Sequence, residues 1–321
     1  MYNSLPYKTK QFFFFLIKLA IVTGAFYFIY NKTVHNEQVN FQEFFLQLEV
    51  TIFSNYASVP MLIFFSVANW FFEIFKWKTL ASAVKRITFL DALQQSLGSL
   101  TASLFTPNRI GEYGAKAIYY TKGTRRKIML LNLLSNMMQM TTTVIFGTLG
   151  LIYFIINFDI DIELLRFRRF AYILIAVILV ITTGGIGSYK RIRGFYIDKI
   201  IDFIKNLGIK IHFQNGLFSM IRYLIFSHQF YFLLQLFDVE TDYITLMACI
   251  SSMYLLASII PSLNMVDWLI KGSVAIWIFG FIGVNELILV TITLLMWLLN
   301  FGIPALFGSY FVLNFNYPAK Q

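Results

Sequence analysis

Apolar runs of about 20 residues recur along this chain, separated by short clusters of Lys and Arg, and few folds tolerate that alternation. A run of that length crosses the hydrocarbon of a bilayer as helix, because a helix satisfies its own backbone N–H and C=O groups where water cannot. Closed β-barrels meet the same demand with segments of about 10 alternating apolar and polar residues, a pattern absent here. At 58% hydrophobic, 18% aromatic and 13% charged, the 321 residues also lie far from the composition of soluble domains. The expected fold class is all-α, a polytopic helical membrane protein forming one integral membrane domain over residues 1–321. A net charge of +10 would point to nucleic acid in a soluble domain, but these basic residues sit between apolar runs, where they set orientation, so nucleic acid is not an expected partner. Cys249 is the single cysteine, which excludes an intrachain disulfide and argues against a cysteine metal site.

About six full spans are expected, over residues 11–30, 59–77, 128–157, 170–189, 217–237 and 286–313. The first follows Lys8 and Lys10, is longer than a signal-peptide core and has no small-residue cleavage site, so it reads as a retained span. Glu37, Glu43 and Glu49 after it suit the outer side, as do Asp238, Glu240 and Asp242 later. Lys76, Lys78, Lys85 and Arg86, then Lys122 and Arg125 to Lys127, then the basic run over 190–210, suit the cytoplasm, and both termini fall on that side. Arg166, Arg168 and Arg169, beside Asp159, Asp161 and Glu163, fit this topology only at headgroup level. Residues 194–208 carry apolar positions at helical spacing among Lys199, Asp202 and Lys205, which predicts an amphipathic helix on the inner leaflet.

Between the second and third spans lies TPNRIGEYGAK, residues 106–116, with Arg109, Glu112 and Lys116 among apolar neighbours. The small-residue segment after Gln95 offers about 10 residues, roughly 15 Å of helix against about 30 Å of hydrocarbon, and cannot cross alone. Pro107 is suited to open a second short helix over 108–120, which makes a re-entrant hairpin with its tip at 106–111. The pair 243–260 and 266–284, broken by PSLNMVDW at 261–268, makes a second hairpin or two full spans and has the same grammar: Pro107, Glu112 and Lys116 are echoed by Pro261, Asp267 and Lys271, each acid four residues before its lysine. The first unit enters from inside and the second from outside, so the expectation is an inverted repeat with units at about 56–157 and 215–313. The plainer alternative is two surface pairs worth about 0.2–0.5 kcal/mol each. Against it stands the cost of about 2.5–3.5 kcal/mol for each charge at membrane depth. Asn132, Ser135, Asn136, Gln139, Thr142 and Thr143 form one polar stripe, and Ser66, Asn69, Glu73 and Lys76 share a helix face, with snorkelling an equal alternative for Lys76. His228 reads as a helix-contact histidine.

The segment with Pro107, Arg109, Gly111, Glu112 and Lys116 resembles the transmembrane domain of the lysylphosphatidylglycerol synthase/flippase family. Pro261, Asp267, Lys271 and Gly272 look like its second signature, departing from the commoner glycine-rich form that ends in glutamate, and Trp297, Asn300, Pro304 and Gly308 look like its closing span. The resemblance implies a multi-pass protein of the bacterial inner membrane handling a lipid or lipid-linked substrate, with membrane lipids as partners and a homo-oligomer left open. The chain carries no aminoacyl-transferase domain after the membrane part, so translocation is expected rather than synthesis. Substrate binding is assigned to Pro107, Arg109, Gly111, Glu112, Lys116, Pro261, Asp267 and Lys271, around a midplane cavity lined by Asn69, Glu73, Asn132, Asn136, Gln139 and Asn300. In this scheme Arg109 holds phosphate through its forked donors, Glu112 and Asp267 approach a common cavity, and no cofactor or metal is expected. The alternatives are a membrane-embedded transferase acting on a lipid carrier and a non-transporting assembly partner.

Overall fold

The computed structural model describes residues 56–104, 106, 109–158, 197–260 and 267–315, with isolated positions 46 and 49. The expected spans over 11–30 and 170–189, the charges of 159–169, both termini, Pro107 and Pro261 lie outside these residues. Ten α-helices follow in order: α1 Ser58–Ala81, α2 Phe89–Ser103, α3 Ile110–Ala117, α4 Arg125–Asn157, α5 Ile197–Lys205, α6 Ile209–Leu236, α7 Tyr243–Ile259, α8 Asp267–Gly280, α9 Glu286–Trp297 and α10 Ile303–Leu313. A π-helical turn, Leu298–Gly302, joins the last two into one continuous element. Among the described residues there is no strand, and α1, α4, α6 and the α9–α10 element are long and apolar enough to cross a membrane.

Local chemistry sets the ends of the shorter helices. Thr88 and Asp91 form a reciprocal cap at the start of α2, the Asp91 amide donating to Thr88 Oγ1 at 3.1 Å and the Thr88 amide to Asp91 Oδ2 at 2.9 Å. Asp242 caps α7 by accepting from the Thr245 amide at 2.9 Å, and that hydrogen bond holds its carboxyl below its ordinary pKa. The short helix after residue 106 departs from its expected bounds of 108–120. Arg109 takes a left-handed conformation, φ 59°, that turns the chain, so α3 begins at Ile110, with the Gly111 amide donating to Thr106 Oγ1 at 2.9 Å. It ends at Ala117, because the next amides close tighter bonds back to Lys116 and Ala117. Likewise α8 stops at Gly280 rather than 284, where Gly283 turns with φ 73°.

Helices α1 and α6 run antiparallel, since Ser66 meets Gln229 at 2.9 Å and Phe65 meets Phe232 at 6.0 Å between ring centroids, while Phe72 meets Phe218. Around this pair, α2 packs on α10 and α3, α4 packs on α7 and α3, and α8 packs on α7 and α9. Two contacts depend on glycine. A Cβ on Gly150 of α4 would lie 2.0 Å from Ser251 Oγ of α7, and one on Gly308 of α10 would lie 2.2 Å from the Leu97 carbonyl of α2. Lipid tails offer no hydrophobic gain for helix association, so such close backbone approach supplies the dispersion contacts instead. The outer faces carry Phe64, Val67 and Phe71 of α1 and Met137, Met140 and Ile145 of α4, all exposed, as a lipid-facing surface requires.

Candidate functional site

Each long helix brings its middle residues to one place: Asn69 and Trp70 of α1, Gln139 and Thr143 of α4, Arg222 and Phe226 of α6, and Asn300 and Phe301 of the π-helical turn. Arg109, just before α3, and Ser258, Asp267 and Lys271, around the break between α7 and α8, complete a cavity of about 260 Å³. The π-helical turn widens the last span where Asn300 points inward, a local irregularity that often marks a working site.

Glu73 is the hub of the charges beneath this cavity. Its carboxylate pairs with Arg222 Nη1, with Lys76 Nζ at 3.0 Å and with Lys116 Nζ at 4.0 Å. Lys116 donates to Glu112 Oε1 at 2.6 Å and Asn132 Oδ1 at 2.8 Å, and lies 4.2 Å above the Trp77 ring. Arg109 Nη2 closes the row 3.0 Å from Glu112 Oε2. On the other side Arg222 donates from Nε to Asn69 Oδ1 at 3.1 Å and from Nη1 to Gln139 Oε1 at 3.2 Å. Amides continue the network, Asn69 to Asn300, Asn300 to Gln229 and Gln229 to Ser66, each at 2.9 Å. Buried charges need partners of this kind, because an unpaired one in low dielectric costs several kcal/mol.

The second acid–lysine pair sits across the cavity. Lys271 Nζ is 2.6 Å from Asp267 Oδ2 and lies over three rings, Phe226 at 5.4 Å, Phe301 at 5.6 Å and Tyr254 at 5.8 Å. An acid beside an aromatic cage is a cation site, and the chain's own lysine fills it.

Of the expected site residues, Arg109, Asp267, Lys271, Asn69, Gln139 and Asn300 line the cavity. Six others lie off that lining. Glu112 and Lys116, 1% and 0% exposed, are packed behind Arg109, so Asp267 faces the cavity directly and Glu112 acts on it only through Arg109. Asn132 is spent on Lys116, and Asn136 donates to Tyr113 Oη at 3.1 Å, which turns both toward α3 and away from the cavity. Glu73 is likewise buried beneath the lining, and Gly111 sits in the first turn of α3, where a Cβ would meet Thr106 at 2.9 Å. Lys76 does not snorkel; Glu73, one turn before it, keeps it buried. His228 bridges helices as expected, its Nε2 lying 2.9 Å from Tyr243 Oη. Sequence reasoning missed Arg222 as a site residue. The signal was available, since an acid in the middle of one span calls for a base in another, and Arg222 lies in the middle of α6.

Among the described residues no group of three or more His, Cys, Asp or Glu could hold a metal ion. No protein-family model matches the chain, and no curated protein or solved structure matches it either.

Proposed function

We propose that this membrane protein translocates a lipid or lipid-linked substrate, using the cavity between the four long helices as the headgroup site. The pairs α2–α3 and α7–α8 act as re-entrant hairpins whose breaks meet at that cavity, and the halves 56–157 and 215–313 form an inverted repeat. One observation carries the proposal: the pattern of which helices touch is kept when the halves are exchanged. Exchanging α1 with α6, α2 with α7, α3 with α8 and α4 with the α9–α10 element turns each major helix contact into another one present in the fold. The correspondence extends to residues. Glu73 and Arg222, 149 positions apart, occupy equivalent places and pair with each other, as residues beside a two-fold axis must. One turn further along, Trp77 carries Lys116 and its equivalent Phe226 carries Lys271. Gly150 against Ser251 is matched by Gly308 against Thr101.

Further support comes from charge sorting. One end of the bundle, with the 82–88 and 118–124 turns, carries Lys85, Arg86, Lys122 and Arg125 to Lys127. The other, with the 237–242 and 281–285 turns, carries Asp238, Glu240, Asp242 and Glu286 and, among the described residues there, neither Lys nor Arg. The basic end is then cytoplasmic in a bacterial inner membrane. A polar site at mid-depth, served by hairpins from both faces, is what alternating access needs.

The test is headgroup exposure in reconstituted vesicles carrying a labelled phospholipid. Glu112→Gln and Asp267→Asn are expected to slow translocation by about tenfold or more, the loss associated with about 1.4 kcal/mol at a barrier. Wild-type rates in both variants would sink the proposal, and turnover of a labelled lipid donor into a new covalent product would replace it with the transferase.

A further inference from the structure

We infer that the cavity selects a doubly charged phosphate, a phosphomonoester or diphosphate, and rejects a cationic headgroup. This rests on the cavity being the substrate site. The first ground is charge. Lys76, Arg109, Lys116, Arg222 and Lys271 stand against Glu73, Glu112 and Asp267, an excess of positive charge in and beneath the cavity wall. Lipid offers no counterion, so a bound ligand must supply the balance.

The second ground is which donors remain open. Arg222 spends Nε and Nη1 on Asn69, Gln139 and Glu73, and its Nη2 has no partner among the described residues. Arg109 spends Nη2 on Glu112 and encloses its Nε without a hydrogen bond, and its Nη1 has no partner among the described residues. Both guanidinium groups line the same cavity. Two forks with free N–H groups match the oxygens of phosphate, which accept paired donors.

The third ground excludes the opposite charge. The place built for a cation, Asp267 with Phe226, Phe301 and Tyr254, already holds Lys271. A ligand ammonium would have to displace a tethered lysine from its carboxylate and its aromatic rings, whereas an anion meets no such competitor.

The experiment is calorimetric titration of the full-length protein in a non-ionic detergent with single-chain probes, at a pH of about 8 so that a phosphomonoester, second pKa about 6, is doubly charged. Dodecyl phosphate is expected to bind at least about tenfold tighter than its singly charged methyl diester, with dodecylphosphocholine and dodecylamine failing to compete. Equal affinity for the diester, or competition by dodecylamine, overturns the inference. Inorganic phosphate and pyrophosphate form the second arm: if they displace dodecyl phosphate at similar concentration the anion alone is recognised, and if they do not the alkyl carrier is recognised with it.

Two variants separate recognition from misfolding. Arg109→Asn, whose new side chain tolerates the left-handed backbone, should weaken dodecyl phosphate binding by about tenfold. Asp267→Asn removes an acid and frees Lys271, so it should tighten binding by about threefold or more, a gain no folding defect produces. Unchanged or weaker binding in Asp267→Asn counts against the inference. Selective dodecyl phosphate binding in a protein that moves no lipid would sink the translocation proposal alone. Translocation by a protein that prefers dodecylamine would sink this one alone.

Discussion

At the scale of single residues, Glu73 and Arg222 are partners with unequal consequences. Glu73 is 4% exposed and faces three cations, so losing it leaves Lys76, 1% exposed, without a carboxylate and takes the opposing charge from Arg222 and Lys116. Removing Arg222 leaves Glu73 still paired with Lys76 and Lys116. Glu73→Gln should therefore cost about 3–5 kcal/mol, the range for breaking a buried pair from one side. Arg222→Gln should cost only about 1–3 kcal/mol, the penalty of partners left unsatisfied. Denaturation of the purified protein in detergent measures both, and equal losses would remove Glu73 from its place as hub. Much of this cluster was legible beforehand: Asn69, Glu73 and Lys76 share a helix face by spacing, and Glu112 and Lys116 are one turn apart. Which of them meet solvent in the cavity was not legible. Arg109, Glu112 and Lys116 all fall within one short helix and its approach, and only the left-handed turn at Arg109 decides that the arginine faces the cavity while the other two are covered.

At the scale of elements, length and hydropathy identify the long helices, and the small-residue segment after Gln95 marks α2 as a short one. The register of helix against helix is set by something a one-dimensional pattern does not weigh, the absence of a side chain at a single contact. Gly150→Ala and Gly308→Ala would put a Cβ 2.8 Å and 2.2 Å from the carbonyl oxygens of Ala248 and Leu97, and a backbone atom cannot rotate aside. Each should cost about 1–3 kcal/mol through overpacking. Gly114 of α3 is the control. A Cβ there meets nothing within 4 Å, so Gly114→Ala should stabilise by up to about 1 kcal/mol through helix propensity. Thermal unfolding in detergent compares the three, and a neutral Gly308→Ala would mean that α2 and α10 are not held as closely as described. The π-helical turn at Leu298–Gly302 had no comparable signal. WLLNFG reads as regular helix, and the extra width appears only once Trp70 Nε1 donates to the Asn300 carbonyl at 3.1 Å and Asn69 takes the side chain.

At the scale of the whole molecule, the two ends differ in charge, one carrying Lys85, Arg86 and Lys122 and the other Asp238, Glu240 and Asp242. Lys122 lies in the turn after α3 and Glu240 in the turn between α6 and α7, both exposed, and the antiparallel course of α1 and α6 puts these turns at opposite ends. Cys249 is fully buried in α7, so the native protein should give no background with a membrane-impermeant maleimide. In intact cells Glu240→Cys should therefore label, and Lys122→Cys should label only after the membrane is opened. The reverse pattern would put the basic end outside and turn the proposed hairpins over without disturbing their symmetry. Labelling of both in intact cells would be the more damaging result. It would bring the two turns to one face, and the exchange of halves could then no longer correspond to an inverted pair of hairpins reaching one cavity from opposite sides.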